Sequence, residues 1–190
     1  MSNAMSLVGR HTDATHRLIL DSSLELLERS GVTELTVRAV AKHAGMSERT
    51  VFRYYASRDE FLDAVAVEVQ AKLRTPGPPS DLNELKFYPR ALYACFEAKT
   101  DLVKSALHTE IFKRLREAVG DVRWGEVRAL IDAGAPHRSE HDRRLVATNI
   151  CYYLTATTWH YLRFYFGLSF DEAAEAAEAA VRSGVEGITH

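Results

Sequence analysis

Apolar residues recur along the 190-residue chain at spacings of three and four, and no stretch alternates with the period of a strand. The pattern predicts a first helix from about Asp13 to Ser30, with Leu18, Ile19, Ser22, Leu26 and Leu27 inward and Gly31 ending it. Val37, Val40 and Ala41 mark the inner face of a short second helix, and Val51 and Tyr55 that of a third. Phe61, Leu62, Val65, Val69 and Leu73 make the stripe of a fourth over Arg58 to Leu73. Pro76-Gly77-Pro78-Pro79 then interrupts the pattern. Beyond it, helices are expected over about Leu82–Lys99 (where Pro89 splits or kinks the run), Asp101–His108, Ile111–Val119 and Val122–Ala133. A long helix over Glu140–Phe166 and a last one over Phe170–Gly187 complete the pattern. Residues up to about Asp13 are expected to be loose, and Met1 to Ala4 reads as an expression-tag remnant.

Turn chemistry between the second and third helices is more specific than their periodicity. Thr36 is a natural N-cap, Gly45 suits the left-handed residue of a helix end, and Ser47 caps the next helix. Two short helices joined by a tight turn with a Gly in it form a helix-turn-helix. With Val51 and Tyr55 inward, Arg49, Thr50, Arg53 and Tyr54 face outward. Between Thr36 and Arg58 the cations Arg38, Lys42, Arg49, Arg53 and Arg58 meet one acid, Glu48. A compact basic island on such a helix suits phosphate neutralisation and base-edge readout; a solvated charged face is the plain alternative. Arg10, His11 and Arg17 precede it, as phosphate contacts of an arm or as a solvated terminus.

In register through Leu35-Thr36, Arg38, Val40-Ala41, Ala44-Gly45-Met46-Ser47, Thr50-Val51-Phe52, Tyr54-Tyr55 and Ser57-Arg58-Asp59-Glu60-Phe61, the first third of the chain resembles the TetR-type bacterial transcriptional regulators. The resemblance implies a homodimer that blocks transcription until a small molecule binds its C-terminal part. The fold expected is all-α: a three-helix DNA-binding domain and a C-terminal helical ligand-binding and dimerisation domain, about nine helices in all. Expected boundaries are 1–12 for tag remnant and flexible arm, 13–57 for the DNA-binding domain and 58–190 for the effector domain, with 58–75 connecting them. Arg49 and Arg53 are the candidates for base edges. Thr36, Arg38, Thr50, Tyr54 and Arg58 are candidates for phosphate or sugar, and Ser47 joins the same surface. The family often has tyrosine where this chain has Phe52, leaving at most a contact with a thymine methyl.

Composition narrows the remaining choices. A net charge of −2 confines any basic surface to a patch. No apolar run approaches the ~18 residues of a membrane span and no signal peptide is visible, so a cytoplasmic location is expected. No nucleophile motif or phosphate-binding glycine loop occurs, so neither an enzyme nor a cofactor is expected. His137 and His141 stand four apart with no clear third ligand, so no metal is expected either. Cys95 and Cys151 read as core thiols. For an apolar or aromatic effector the candidate lining is Phe96, Phe112 and Trp124, with His108, Asn149, Tyr153 and His160 as polar anchors; all equally fit a core. Ala173, Ala174, Ala177, Ala180, Val181 and Gly184 on the last helix, with Leu145, Thr148, Tyr152, Thr155, Trp159 and Leu162 before it, form small and apolar faces. They are expected to make a homodimer interface over 140–187, or else to pack within one subunit. An aromatic-pocket binding protein or an enzyme with a merely structural helix-turn-helix is the competing class.

Overall fold

The computed structural model describes the backbone of residues 2–30 and 35–190 and the side chains of residues 14–29 and 35–190. Among the described residues it holds ten α-helices and no strand: α1 (Ser2–Ser30), α2 (Val37–His43), α3 (Glu48–Phe52), α4 (Arg58–Leu73), α5 (Leu82–Glu97), α6 (Thr100–Leu107), α7 (Glu110–Gly134), α8 (Glu140–Tyr153), α9 (Ala156–His160) and α10 (Phe170–Thr189). A π-helical turn over Tyr161–Tyr165 extends α9. The helices form two compact units, residues 1–72 with 104–115, and residues 73–103 with 116–190.

In the first unit α1 packs on α2, and α2 on α3. Ile19, Leu20, Ser22, Ser23, Leu24 and Leu27 form the buried side of α1. Leu18 is 47% exposed instead of inward, because the buried stripe begins one residue later, at Ile19. Ser23 is tolerated there because its hydroxyl donates back to the Ile19 carbonyl at 2.8 Å. The helix begins at Ser2, well before the expected start, since no proline interrupts residues 2–12. Gly31, expected to end it, lies outside the described residues, as do the side chains of Arg10 and His11. Arg17, read as an arm contact or a solvated cation, pairs with Asp21 at 3.3 Å and with Glu68 at 2.9 Å.

The second unit is built around α10, which packs on α5 and α8. Ala173, Ala174, Ala177 and Val181 are fully buried there, and Gly184 faces Val146 and Ile150 of α8. The small-residue face expected to meet a partner subunit is therefore used inside the unit. Along the preceding stretch Leu145 and Tyr152 are exposed but Trp159 is fully buried, so that stripe does not form one continuous surface either.

Two helix boundaries differ from expectation, each for a physical reason. The segments at 111–119 and 122–133 are one helix, α7, because inward positions continue every fourth residue through Ile111, Val127 and Ile131. Gly120 lies in open space and costs only helix propensity, ~1 kcal/mol. Conversely, the run at 140–166 breaks after Tyr153. Thr155 adopts an extended backbone and its hydroxyl accepts from the Thr158 N–H at 3.1 Å, starting α9 as a new helix. The Thr158 hydroxyl donates to the Tyr152 carbonyl at 2.6 Å and satisfies the end of α8. Pro89, by contrast, is buried within an unbroken α5.

Candidate nucleic-acid interface

Three local hydrogen-bond devices build the head formed by α2 and α3. The Thr36 hydroxyl accepts from the Ala39 N–H at 3.1 Å and starts α2. At its other end the Met46 N–H donates to the Ala41 carbonyl and the Gly45 N–H to the Lys42 carbonyl, the paired bonds of a Schellman ending. This ending needs a left-handed residue, and Gly45 supplies it with φ +67°. The Ser47 hydroxyl then accepts from the Thr50 N–H at 3.1 Å and starts α3. At five residues α3 is far too short to persist alone, so it is held by its caps and by Val51, which is fully buried. Tyr55 is buried just beyond it, edge-on to Phe61 of α4 and 5.4 Å from the His16 ring of α1.

Those anchors fix which side chains remain outside. Arg38, Lys42, Arg49 and Arg53 are exposed, and among the described residues none of them forms an ion pair. Arg53 lies 5.4 Å from the centre of the Tyr54 ring. Phe52 is 45% exposed, an apolar side chain standing among cations. The hydroxyls of Thr36 and Ser47 are occupied as caps, and the Thr50 hydroxyl is 2.9 Å from that of Ser47. Tyr54 leans on His16, and a hydrogen bond with the Thr15 side chain moves its phenol below the usual tyrosine pKa. Tyr55 moves the other way, pushed up to about 12 by burial, and its hydroxyl has no hydrogen-bond partner among the described residues.

Arg58 is placed differently from the other four cations. Its two terminal nitrogens donate to Glu110 of α7 at 2.8 and 3.1 Å, a two-pronged pair. Arg114, one turn further along α7, binds Asp59 at 2.6 Å and also Asp63. Sequence reasoning missed this network, because Arg58 and Glu110 are 52 residues apart and no local pattern joins them.

The candidate effector residues are divided between the two units. His108 and Phe112 belong to the first unit, whereas Phe96, Trp124, Asn149, Tyr153 and His160 belong to the second. Phe96 is buried against Trp159 with ring centres 5.8 Å apart, and His160 lies 5.2 Å from Phe164. Tyr153 offers its carbonyl to the Tyr93 hydroxyl at 2.8 Å, Trp124 is half-buried and Asn149 is exposed. Trp159 and Arg163 both donate to Glu97, and the guanidinium holds that carboxyl below its ordinary range. Cys95 and Cys151 are free thiols, and burial pushes Cys151 up to about 11. His137 and His141 are both exposed. No helix among the described residues is long and apolar enough to cross a membrane.

Residues 19–65, which hold this head, match the model of the tetR family of bacterial regulatory proteins. Over these residues the chain is similar to the TetR-type regulators. The chain is also similar there to MftR of Mycobacterium tuberculosis, a transcriptional regulator named for mycofactocin biosynthesis. The two are 43% identical over 54 residues, which is 28% of this chain and 27% of the relative. The match thus spans about a quarter of that relative's length. Over most of the chain the similarity is one of fold. BioQ of Mycobacterium smegmatis superposes with TM-score 0.61 at 18% identity, covering 90% of this chain and 95% of BioQ. BioQ held on its double-stranded DNA operator superposes with TM-score 0.57 at 19% identity, over 90% of this chain and 95% of the other.

Proposed function

We propose that the protein is a DNA-binding transcriptional regulator, a repressor that a small apolar or aromatic effector releases from its operator. The observation that carries this reading is the pair of exposed guanidiniums of Arg49 in α3 and Arg53 at its end, neither in an ion pair among the described residues. Arginine pairs through two bonds with the major-groove edge of guanine, and α3 is short enough to be presented end-on to a groove. Arg38 and Lys42 of α2 supply charge for the adjacent phosphates, with Thr36, Ser47, Thr50 and Tyr54 as neutral backbone contacts. Phe52 offers a thymine methyl a van der Waals partner. The operator complex of BioQ, a protein of the same fold, supports the docking mode.

The domain division proposed is 13–57 for DNA binding and 58–190 for effector binding and dimerisation, with 58–75 as connector. The protein acts as a homodimer whose two α3 helices lie about one helical turn of DNA apart, ~34–36 Å. With the α10 face used internally, the dimer surface is drawn from what 140–187 leaves exposed: Leu145 and Tyr152 of α8, and Tyr161, Tyr165 and Phe166 at the π-helical turn. Such a patch of large apolar side chains is what a partner subunit covers. Effector binding in the second unit lowers operator affinity through a coupling of ~1–3 kcal/mol.

Fluorescence anisotropy on duplexes from the region flanking the protein's own gene tests this reading. Salt-sensitive binding of two chains per duplex is the expected result. Turnover of a small molecule without any DNA affinity would replace it with the enzyme class.

A further inference from the structure

Building on the DNA-binding reading, we infer that Glu110 competes with the DNA backbone for Arg58, so that α7 sets how many phosphates the head can hold. Arg58 opens α4 directly behind the helix-turn-helix, where a guanidinium suits a phosphate, while the Glu60 N–H of the same turn donates to the Ser57 hydroxyl at 3.1 Å. The Glu110 carboxylate already occupies both terminal nitrogens of that guanidinium, the same fork that a phosphate would take. Arg114 holds the carboxylate's helix in place by binding Asp59 and Asp63 on α4. Three carboxylates (Glu110, Asp59, Asp63) thus face two guanidiniums, and a phosphate takes the terminal fork of Arg58 only by displacing Glu110. Among the cations of the head Arg58 alone is held in this way: Arg38, Lys42, Arg49 and Arg53 form no ion pair among the described residues.

Glu110 lies in the first turn of α7, and the residues of that helix from Arg116 onward belong to the second unit. An event in that unit that shifts or frays α7 therefore changes whether Arg58 is available to DNA. The effect is modest, because Arg58 and Glu110 are 38% and 55% exposed and water screens the pair.

The test is a double-mutant cycle read by duplex anisotropy across a salt series. Glu110→Gln tightens binding roughly two- to five-fold, in line with the value of an exposed pair. It also steepens the dependence of log affinity on log salt by about 0.9, one extra phosphate. Neither gain survives in the Arg58→Ala background. Glu110→Ala, with a thermal melt to verify folding, must move affinity in the same direction. The inference is overturned if both Glu110 variants leave affinity unchanged or lower it. An equal gain with Arg58 absent also overturns it, as a general charge effect. A wild-type protein with no salt-sensitive affinity for any duplex overturns the DNA-binding reading as well, so the two failures are distinguishable.

Discussion

The head and the second unit are both helical and cap their helices with nearby side chains, yet they differ in the bonds that tie one helix to another. In the head, each boundary is set by a residue within a few positions of it: Thr36, Gly45 and Ser47. In the second unit Asp81, Ser139, Thr155 and Ser169 cap helices just as locally, but the bonds that tie helix to helix join residues far apart in the chain. Tyr93 donates to the Tyr153 carbonyl, Arg163 and Trp159 converge on Glu97, and Arg90 of α5 binds Asp171 and Glu178 of α10. A head specified locally can be recognised across relatives that share little else, and the family match indeed stops at residue 65. A unit specified by distant contacts can change its residues while keeping its fold, and BioQ superposes at 18% identity over 90% of this chain.

The largest expected effects separate affinity from stability. Replacing Arg49 or Arg53 by Ala should cost ~1–3 kcal/mol of operator binding each, about 5- to 150-fold, and relax base preference. Neither change should move the melting temperature, since both side chains are exposed and in no ion pair among the described residues; a matching loss of stability would mean they hold the head together. Next comes Gly45→Ala, which forces a side chain into the left-handed region and should destabilise by ~1–2 kcal/mol. Chemical denaturation measures that cost, and a neutral result would remove the Schellman ending from the account.

Two buried tyrosines give a smaller and sharper contrast between the units. Tyr93→Phe removes a donor from the Tyr153 carbonyl and should cost ~1 kcal/mol. Tyr55→Phe removes a hydroxyl with no hydrogen-bond partner among the described residues and should be neutral or slightly stabilising. Equal losses from both would mean that Tyr55 has a partner as good as that of Tyr93. The smallest effect expected is pH-dependent. The hydrogen bond from Arg163 lowers the Glu97 pKa in the folded state, so its stabilisation is present at neutral pH. It is lost as the pH falls through the ordinary glutamate range and below the lowered folded value. The melting-temperature gap between wild type and Glu97→Gln should therefore narrow on acidification, and a gap that widens would reverse the sign of the linkage.

The same distinction explains what was legible in the sequence. The caps of α2 and α3, the turn at Gly45 and the inward positions Val37, Val40, Ala41 and Val51 follow from residues that sit next to the feature they cause. In the second unit the starts at Leu82, Glu140 and Phe170 followed equally, but the break after Tyr153 did not. Periodicity runs across residues 154–155, and only the Thr155 and Thr158 hydroxyls show that α8 ends there. The face of α10 was legible as small but not as internal, because its companions α5 and α8 are distant in the chain. At the site, outward-facing Arg49 and Arg53 were readable from the helical face, while the hold of Glu110 on Arg58 was not.

The central claim is that exposed cations of the α2–α3 head grip a duplex, and a salt titration of operator binding tests it most directly. The account predicts that log affinity of the wild-type protein falls linearly with log salt, and that Arg49→Ala loses its preference for the operator over an unrelated duplex. A duplex affinity indifferent to salt, or an Arg49→Ala protein that still discriminates between the two duplexes as well as wild type, would contradict it.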